Sequence, residues 1–322
     1  MRADVIVLVI AALMLTGGAI GAYTYNPDIG FDAHVDDDGD TIIEITGKFP
    51  AEVAYRVLSD TSVPDKIYIF LDEKYPGLTG FRDQKKTLTT LADMLSKRGY
   101  DNTEIIDSVK LAQIISDPSV AASSGLIMTG GSIPVNVFPD DSNNGILTWI
   151  SNGGTLYWSG PDIGMYRDTG EECVLTSCTY FGAAMNYQID AEYLVSDASE
   201  VAEFMEFSDK HAEFGLSVNY SANPTRIMGL YGDYSSLSVT EIGSGRVYLF
   251  GNYLDRYDIE NLTAIADMVV CGITEDTVLV EKGMLSKEYG TQKYNIGSIA
   301  AGSTVYVTLG KPVTERGEAF VL

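Results

Sequence analysis

The chain has 322 residues, 45% of them hydrophobic and 20% charged, which is enough apolar material for a sizeable core and excludes global disorder. Lys and Arg total 21 against 45 Asp and Glu, a net charge of −24 that repels phosphate backbones and argues against nucleic acid as a partner. Two His and three Cys exclude Cys- or His-rich metal modules, and no metal site is expected.

Val5 to Tyr23 is uncharged and mostly apolar. It matches the ~20 residues that cross a hydrocarbon core. Its denser part, Val5 to Leu15, also fits a signal-peptide core, followed by small residues that resemble a cleavage region. Residues 1–24 are therefore expected to be a membrane anchor or a cleaved signal, with the rest of the chain outside the cytoplasm, membrane-anchored or secreted. Asn219 and Asn261 begin glycosylation sequons, and Cys173 and Cys178 lie close enough in sequence for a small disulfide loop outside the cytoplasm. Cys271, in an apolar run, reads as a buried free thiol.

Residues 25–62 read as a β-segment, with a hairpin turn at Asp36-Asp37-Asp38-Gly39-Asp40. The acidic run invites a calcium loop. An EF-hand register with Gly39 sixth starts at His34 and ends at Ile45, where a Glu is needed, so the turn is preferred.

From Lys66 strands and helices alternate. KIYIFLD, NTEIID, SGLIMTG, TLYWSG and the later GRVYLFG are apolar strands. Leu88, Leu91, Ala92 and Leu95 share a helix face, SVKLAQIISD starts at a Ser cap, and GILTWISNGG ends on glycines. The pattern predicts an α/β domain over 63–274 with a doubly wound, mostly parallel sheet. An insertion at about 169–240 interrupts it, with a helix near ASEVAEFMEF, and residues 275–322 are β-like again. The two flanking β-segments are expected to pair as one subdomain. Gly243-Ser244-Gly245 precedes a strand and reads as a tight turn; with no phosphate-loop lysine either, no cofactor is expected.

Three motifs carry a resemblance: Thr129-Gly130-Gly131-Ser132-Ile133-Pro134 after a strand, WISNGGTLYWSG, and EIGSGRVYLFGN. On these, residues about 65–272 resemble the class I glutamine amidotransferase-like superfamily. The resemblance implies a flavodoxin-like fold, oxyanion-hole amides at Gly130-Gly131, and a nucleophile elbow at Gly160-Pro161-Asp162-Ile163-Gly164. Asp162 stands where that family has Cys, and Gly251-Asn252-Tyr253-Leu254-Asp255 lacks the family's His. A carboxylate is a far poorer nucleophile toward an amide than a thiolate held by His, so no catalytic residue is assigned.

The candidate ligand cleft comprises Gly130, Gly131, Ser132, Asp162, Asn252 and Tyr253. The simplest role for Asp162 is a helix N-cap. Trp149, Tyr157 and Trp158 read as core. The resulting expectation is a non-catalytic accessory or binding domain with a protein or glycan partner. The alternatives are a carboxylate-dependent, sugar-directed hydrolase acting through Asp162, and a structural cell-envelope protein.

Overall fold

The computed structural model describes residues 30–47, 53–140, 145–177, 186–187, 214–217, 225–231, 234–251, 253–254, 259–285, 290–309 and 317–321. The strands in chain order are β1 (Gly30–Val35), β2 (Thr41–Gly47), β3 (Val53–Ser59), β4 (Lys66–Phe70), β5 (Thr103–Ile106), β6 (Ser124–Met128), β7 (Ile133–Pro134), β8 (Thr155–Ser159), β9 (Tyr166–Asp168) and β10 (Cys173–Leu175). There follow β11 (Asn186–Tyr187), β12 (Phe214–Ser217), β13 (Thr225–Tyr231), β14 (Tyr234–Ile242), β15 (Gly245–Phe250), β16 (Val278–Leu285), β17 (Gly290–Asn295), β18 (Thr304–Leu309) and β19 (Gly317–Val321). The helices are α1 (Phe81–Lys97), α2 (Ser108–Ile115), α3 (Gly145–Ser151) and α4 (Ile259–Cys271). Two compact units result, Ser59–Leu279 and the pair of segments Met1–Leu58 and Val280–Leu322.

In the larger unit β15, β8, β6, β4 and β5 lie side by side and mutually parallel. Every residue of β6 and β8 is buried, so these strands must be apolar on both faces, as SGLIM and TLYWS are. Successive side chains alternate across the sheet. Leu126, Met128, Leu156, Trp158, Val247 and Leu249 meet α2 and α3 on one face. Tyr157 and Tyr248 point the other way and stack with ring centroids 4.6 Å apart. Helices α1 and α4 pack together, joined by a buried ion pair in which Arg98 Nε donates to Asp267 Oδ1.

The doubly wound, mostly parallel sheet is not what forms. Beyond β15 the sheet continues antiparallel through β14, which pairs with both β12 and β13, while β11 pairs with β12. Four of its ladders are parallel and four antiparallel, and three smaller sheets accompany it. The fold is a mixed, strand-rich α/β arrangement. The physical source is the stretch read as an insertion: β12, β13 and β14 return as hairpin-like neighbours on a sheet edge, and antiparallel neighbours need no crossover helix. The helix expected near ASEVAEFMEF lies outside the described residues.

In the smaller unit β1-β2-β17 form one sheet and β16-β3-β18-β19 another. Phe31, Ile43, Ile45, Val53, Tyr55, Val57, Val305 and Val307 share one core. Strand β17 pairs with β2 and β18 with β3, so the C-terminal strands complete sheets begun at the N-terminal end. The acidic run is a turn: Asp36 Oδ1 accepts from the amides of Asp38 and Asp40, at 2.9 Å each.

Candidate functional site

In parallel sheets flanked by helices, ligands bind beyond the carboxyl ends of the strands. Here β4 leads to Asp72, β6 to Gly130-Gly131-Ser132, β8 to Gly160-Pro161-Asp162, and β15 to Gly251 and Tyr253. The structure brings Gly131, Gly160 and Tyr253 together. Gly160 has φ +118°, and a methyl group on it would stand 2.8 Å from the Gly131 Cα and 3.1 Å from the Tyr253 ring. A methyl on Gly131, at φ +67°, would stand 2.9 Å from Pro161 Cδ. Glycine is required at both positions by backbone angle and by crowding. Asn252 lies outside the described residues.

Asp162 is 1% exposed, and neither carboxyl oxygen has a hydrogen-bond partner. It does not cap a helix, because residues 163–165 form a turn. Burial pushes its carboxyl up to about 7, and only the Ile163 amide pulls the other way. The segment is fixed from behind by Trp158, whose indole N–H donates to the Pro161 carbonyl at 2.6 Å.

A small sheet, β7-β9-β10, follows the elbow. From it Asp168, 2% exposed, accepts from the amides of Gly77 and Gly170, each at 2.8 Å. The Val135 amide donates to the Asp168 carbonyl at 2.8 Å. Thr176 ties back to the elbow, its hydroxyl donating to the Gly164 carbonyl and its amide to that of Met165. Cys173 on β10 is a free thiol. Burial and the Asp168 carboxylate push it up, against an opposing hydrogen bond with Ser132. Its expected partner Cys178 lies outside the described residues.

Asp72 Oδ2 accepts from the Ser108 amide at 2.9 Å and Oδ1 from the Lys74 amide at 2.8 Å. Burial raises this carboxyl, but the hydrogen bonds from Ser108 and Lys74 outweigh it and hold the group below the usual range. The cap of α2 is Asp107, which accepts from the Lys110 amide at 2.8 Å, and not Ser108 as the sequence pattern implies. The Lys74, Ser108, Gly77 and Gly170 amides are thus occupied by the protein's own carboxylates. Sequence reasoning missed Asp72 and Asp168. The available signal was local: each is followed two residues on by the amide it accepts from, the pattern of an Asx turn.

His34 is exposed on β1 and hydrogen-bonded to Asp32, and His211 lies outside the described residues. Among the described residues no group of three or more His, Cys, Asp or Glu is arranged to hold a metal ion. No described helix is long and apolar enough to cross a membrane; Val5 to Tyr23 and Asn219 lie outside the described residues. The Asn261 sequon falls in α4, with Leu262 buried and the Thr263 hydroxyl donating to the Ile259 carbonyl at 2.8 Å.

No family model matches the sequence, and no curated protein does. Among solved structures the chain is similar to the exo-beta-1,4-mannosidase Op5Man5 from Opitutaceae bacterium strain TAV5, at 15% identity over 64% of this chain and 34% of that one, TM-score 0.40. It is similar to the beta-galactosidase from Bacillus circulans sp. alkalophilus at 12% identity over 78% of this chain and 36% of that one, TM-score 0.40. The cytoplasmic protein STM1381 from Salmonella typhimurium LT2 is 10% identical over 63% of this chain and 98% of that one, TM-score 0.37. The chain spans about a third of the length of the two glycosidases. Likeness this distant assigns no activity.

Proposed function

We propose that this protein is a non-catalytic, extracytoplasmic binding or accessory module that recognises a protein or glycan partner. One observation carries this reading: the elbow carboxyl of Asp162 is sealed from solvent, with Gly131, Gly160 and Tyr253 packed together at the same edge. Amide hydrolysis needs a nucleophile, a base and free oxyanion donors. Among the described residues no His adjoins a thiol or hydroxyl at this edge. Asp72 and Asp168 occupy the Ser108 and Gly77 amides. The test is a glutaminase assay on the purified protein, beside a pull-down from detergent-solubilised membranes and a glycan array. Reproducible capture of one partner without turnover supports the reading. Glutamine hydrolysis that Asp162→Ala abolishes overturns it.

A second reading is a sugar-directed hydrolase, and the state of Asp162 favours it. A carboxyl held neutral near pH 7 is what a general acid requires, and glycosidases pair such an acid with an ionised carboxylate. Asp168 is the next carboxyl residue along the chain. Chromogenic β-mannosides and β-galactosides, the sugars in the names of two similar structures, are the first substrates to try. Turnover lost in Asp162→Asn establishes this reading; no turnover between pH 5 and pH 8 removes it.

A further inference from the structure

The face of the large sheet opposite α2 and α3 carries a polar cluster of its own. Tyr157 of β8 and Tyr248 of β15 occupy paired positions on adjacent parallel strands. Their rings stack, so both hydroxyls lie at the outer end of one stack. Tyr157 is 1% exposed and Tyr248 0%, and neither hydroxyl has a hydrogen-bond partner. A buried donor left unpaired is costly, and two side by side call for a physical reason. Arg246 projects from the same face of β15 two residues before Tyr248. Its Nη1 donates to the Ser62 carbonyl at 3.4 Å.

We propose that the Tyr157 and Tyr248 hydroxyls, backed by the Arg246 guanidinium, bind one halide ion, chloride in ordinary solution, as an internal ligand of this sheet face. Burial raises both phenols, with Arg246 pulling the other way on each, so both remain protonated donors at neutral pH. Tyr100 and the Cys271 thiol are their other titratable neighbours, and the Tyr100 hydroxyl donates to the Pro64 carbonyl. Glu241 faces Arg246 across the β14–β15 ladder, but among the described residues no carboxylate acts on either phenol. In a chain with 45 acidic residues, two buried donors and a guanidinium thus share a place without carboxylates. Water accepting from both hydroxyls must still place two protons of its own, whereas a halide only accepts. The guanidinium offsets the cost of burying the anion's charge.

The experiment follows urea unfolding in chloride and in gluconate at one ionic strength, for the unmodified protein, Tyr157→Phe and Tyr248→Phe. In the unmodified protein the folding equilibrium constant should rise by up to about tenfold for each tenfold rise in chloride. Each Phe variant should lose that dependence. In gluconate, where the hydroxyls go unmatched, the Phe variants should be at least as stable as the unmodified protein; in chloride they should be less stable. An unmodified protein indifferent to chloride, Phe variants that gain stability equally in both salts, or a chloride dependence that survives both changes overturns the proposal. Should the variants fail to fold, crystals of the unmodified protein grown in bromide decide. An anomalous peak within hydrogen-bond distance of both phenol oxygens is the expected result, and a water or no peak there overturns the proposal.

Discussion

Asp168 Oδ2 and the Gly77 amide are hydrogen-bonded at 2.8 Å across 91 residues of sequence. The bond ties the small sheet after the elbow to the loop that follows β4. A second bond from the Gly170 amide makes this buried carboxylate a two-donor acceptor. Asp168→Ala should cost about 1–3 kcal/mol, because the part-buried Gly77 and Gly170 amides lose their acceptor. Asp168→Asn, which keeps one carbonyl acceptor, should cost less. Urea denaturation midpoints of the three proteins check both.

Asp162 makes stability depend on pH. Its folded-state value of about 7 lies above the ordinary 3.8. A raised acid binds more protons folded than unfolded, so its contribution is intact below about pH 4 and declines as pH rises toward 7. Above that the loss is constant, at most on the order of 4 kcal/mol. Asp162→Asn should therefore gain stability relative to the unmodified protein between pH 5 and pH 8. Equal pH profiles for the two proteins would contradict this.

The Arg98–Asp267 pair joins α1 to α4 with Arg98 1% exposed at its side chain and a further bond from Nη1 to the Met94 carbonyl. Removing one partner leaves an uncompensated buried charge. Asp267→Ala should cost about 3–5 kcal/mol, and Arg98→Met with Asp267→Leu together should cost less than that single change. A double-mutant cycle by chemical denaturation measures the difference.

Deleting residues 290–322 removes β17, which pairs with β2, β18, which pairs with β3, and β19, which pairs with β18. The remaining β1–β2 hairpin is marginal in water. Hydrogen exchange should show β2 and β3 amides losing protection while β6 and β8 keep theirs.

The central strands were legible in the sequence because β6 and β8 are buried on both faces, which writes them as mostly apolar runs without alternation. The hairpin at Asp36–Asp40 and the turn at Gly243 were legible from local chemistry, Asx bonding and a positive φ of 64°. The antiparallel half of the large sheet was not. TRIMGLY and YSSLSVTEI carry Gly, Ser and Thr where a buried run is expected, and Ser238 and Thr240 are buried all the same. Their place is fixed by pairing with β15, a long-range fact. At the candidate site, the approach of Gly131 to Gly160 followed from two glycine turns ending adjacent parallel strands. The sealing of Asp162 did not, since the burial of one side chain is a tertiary fact.

The larger unit begins and ends at one place. The hydroxyls of Thr274 and Thr277 both donate to the Asp60 carbonyl, and the Ser62 amide donates to that of Gly272. For a ribosome making the chain in order, this sets a timetable. Strand β2 ends at Gly47 and its partner β17 begins at Gly290. At ~5–20 residues per second the first strands wait on the order of 10–50 seconds with open edges. During that interval the α/β unit has all its strands and can condense first, drawing its two ends together. The late strands then meet waiting partners after the larger unit is complete, and the hazard of the wait falls on β2 and β3, whose unpaired edges invite association between nascent chains.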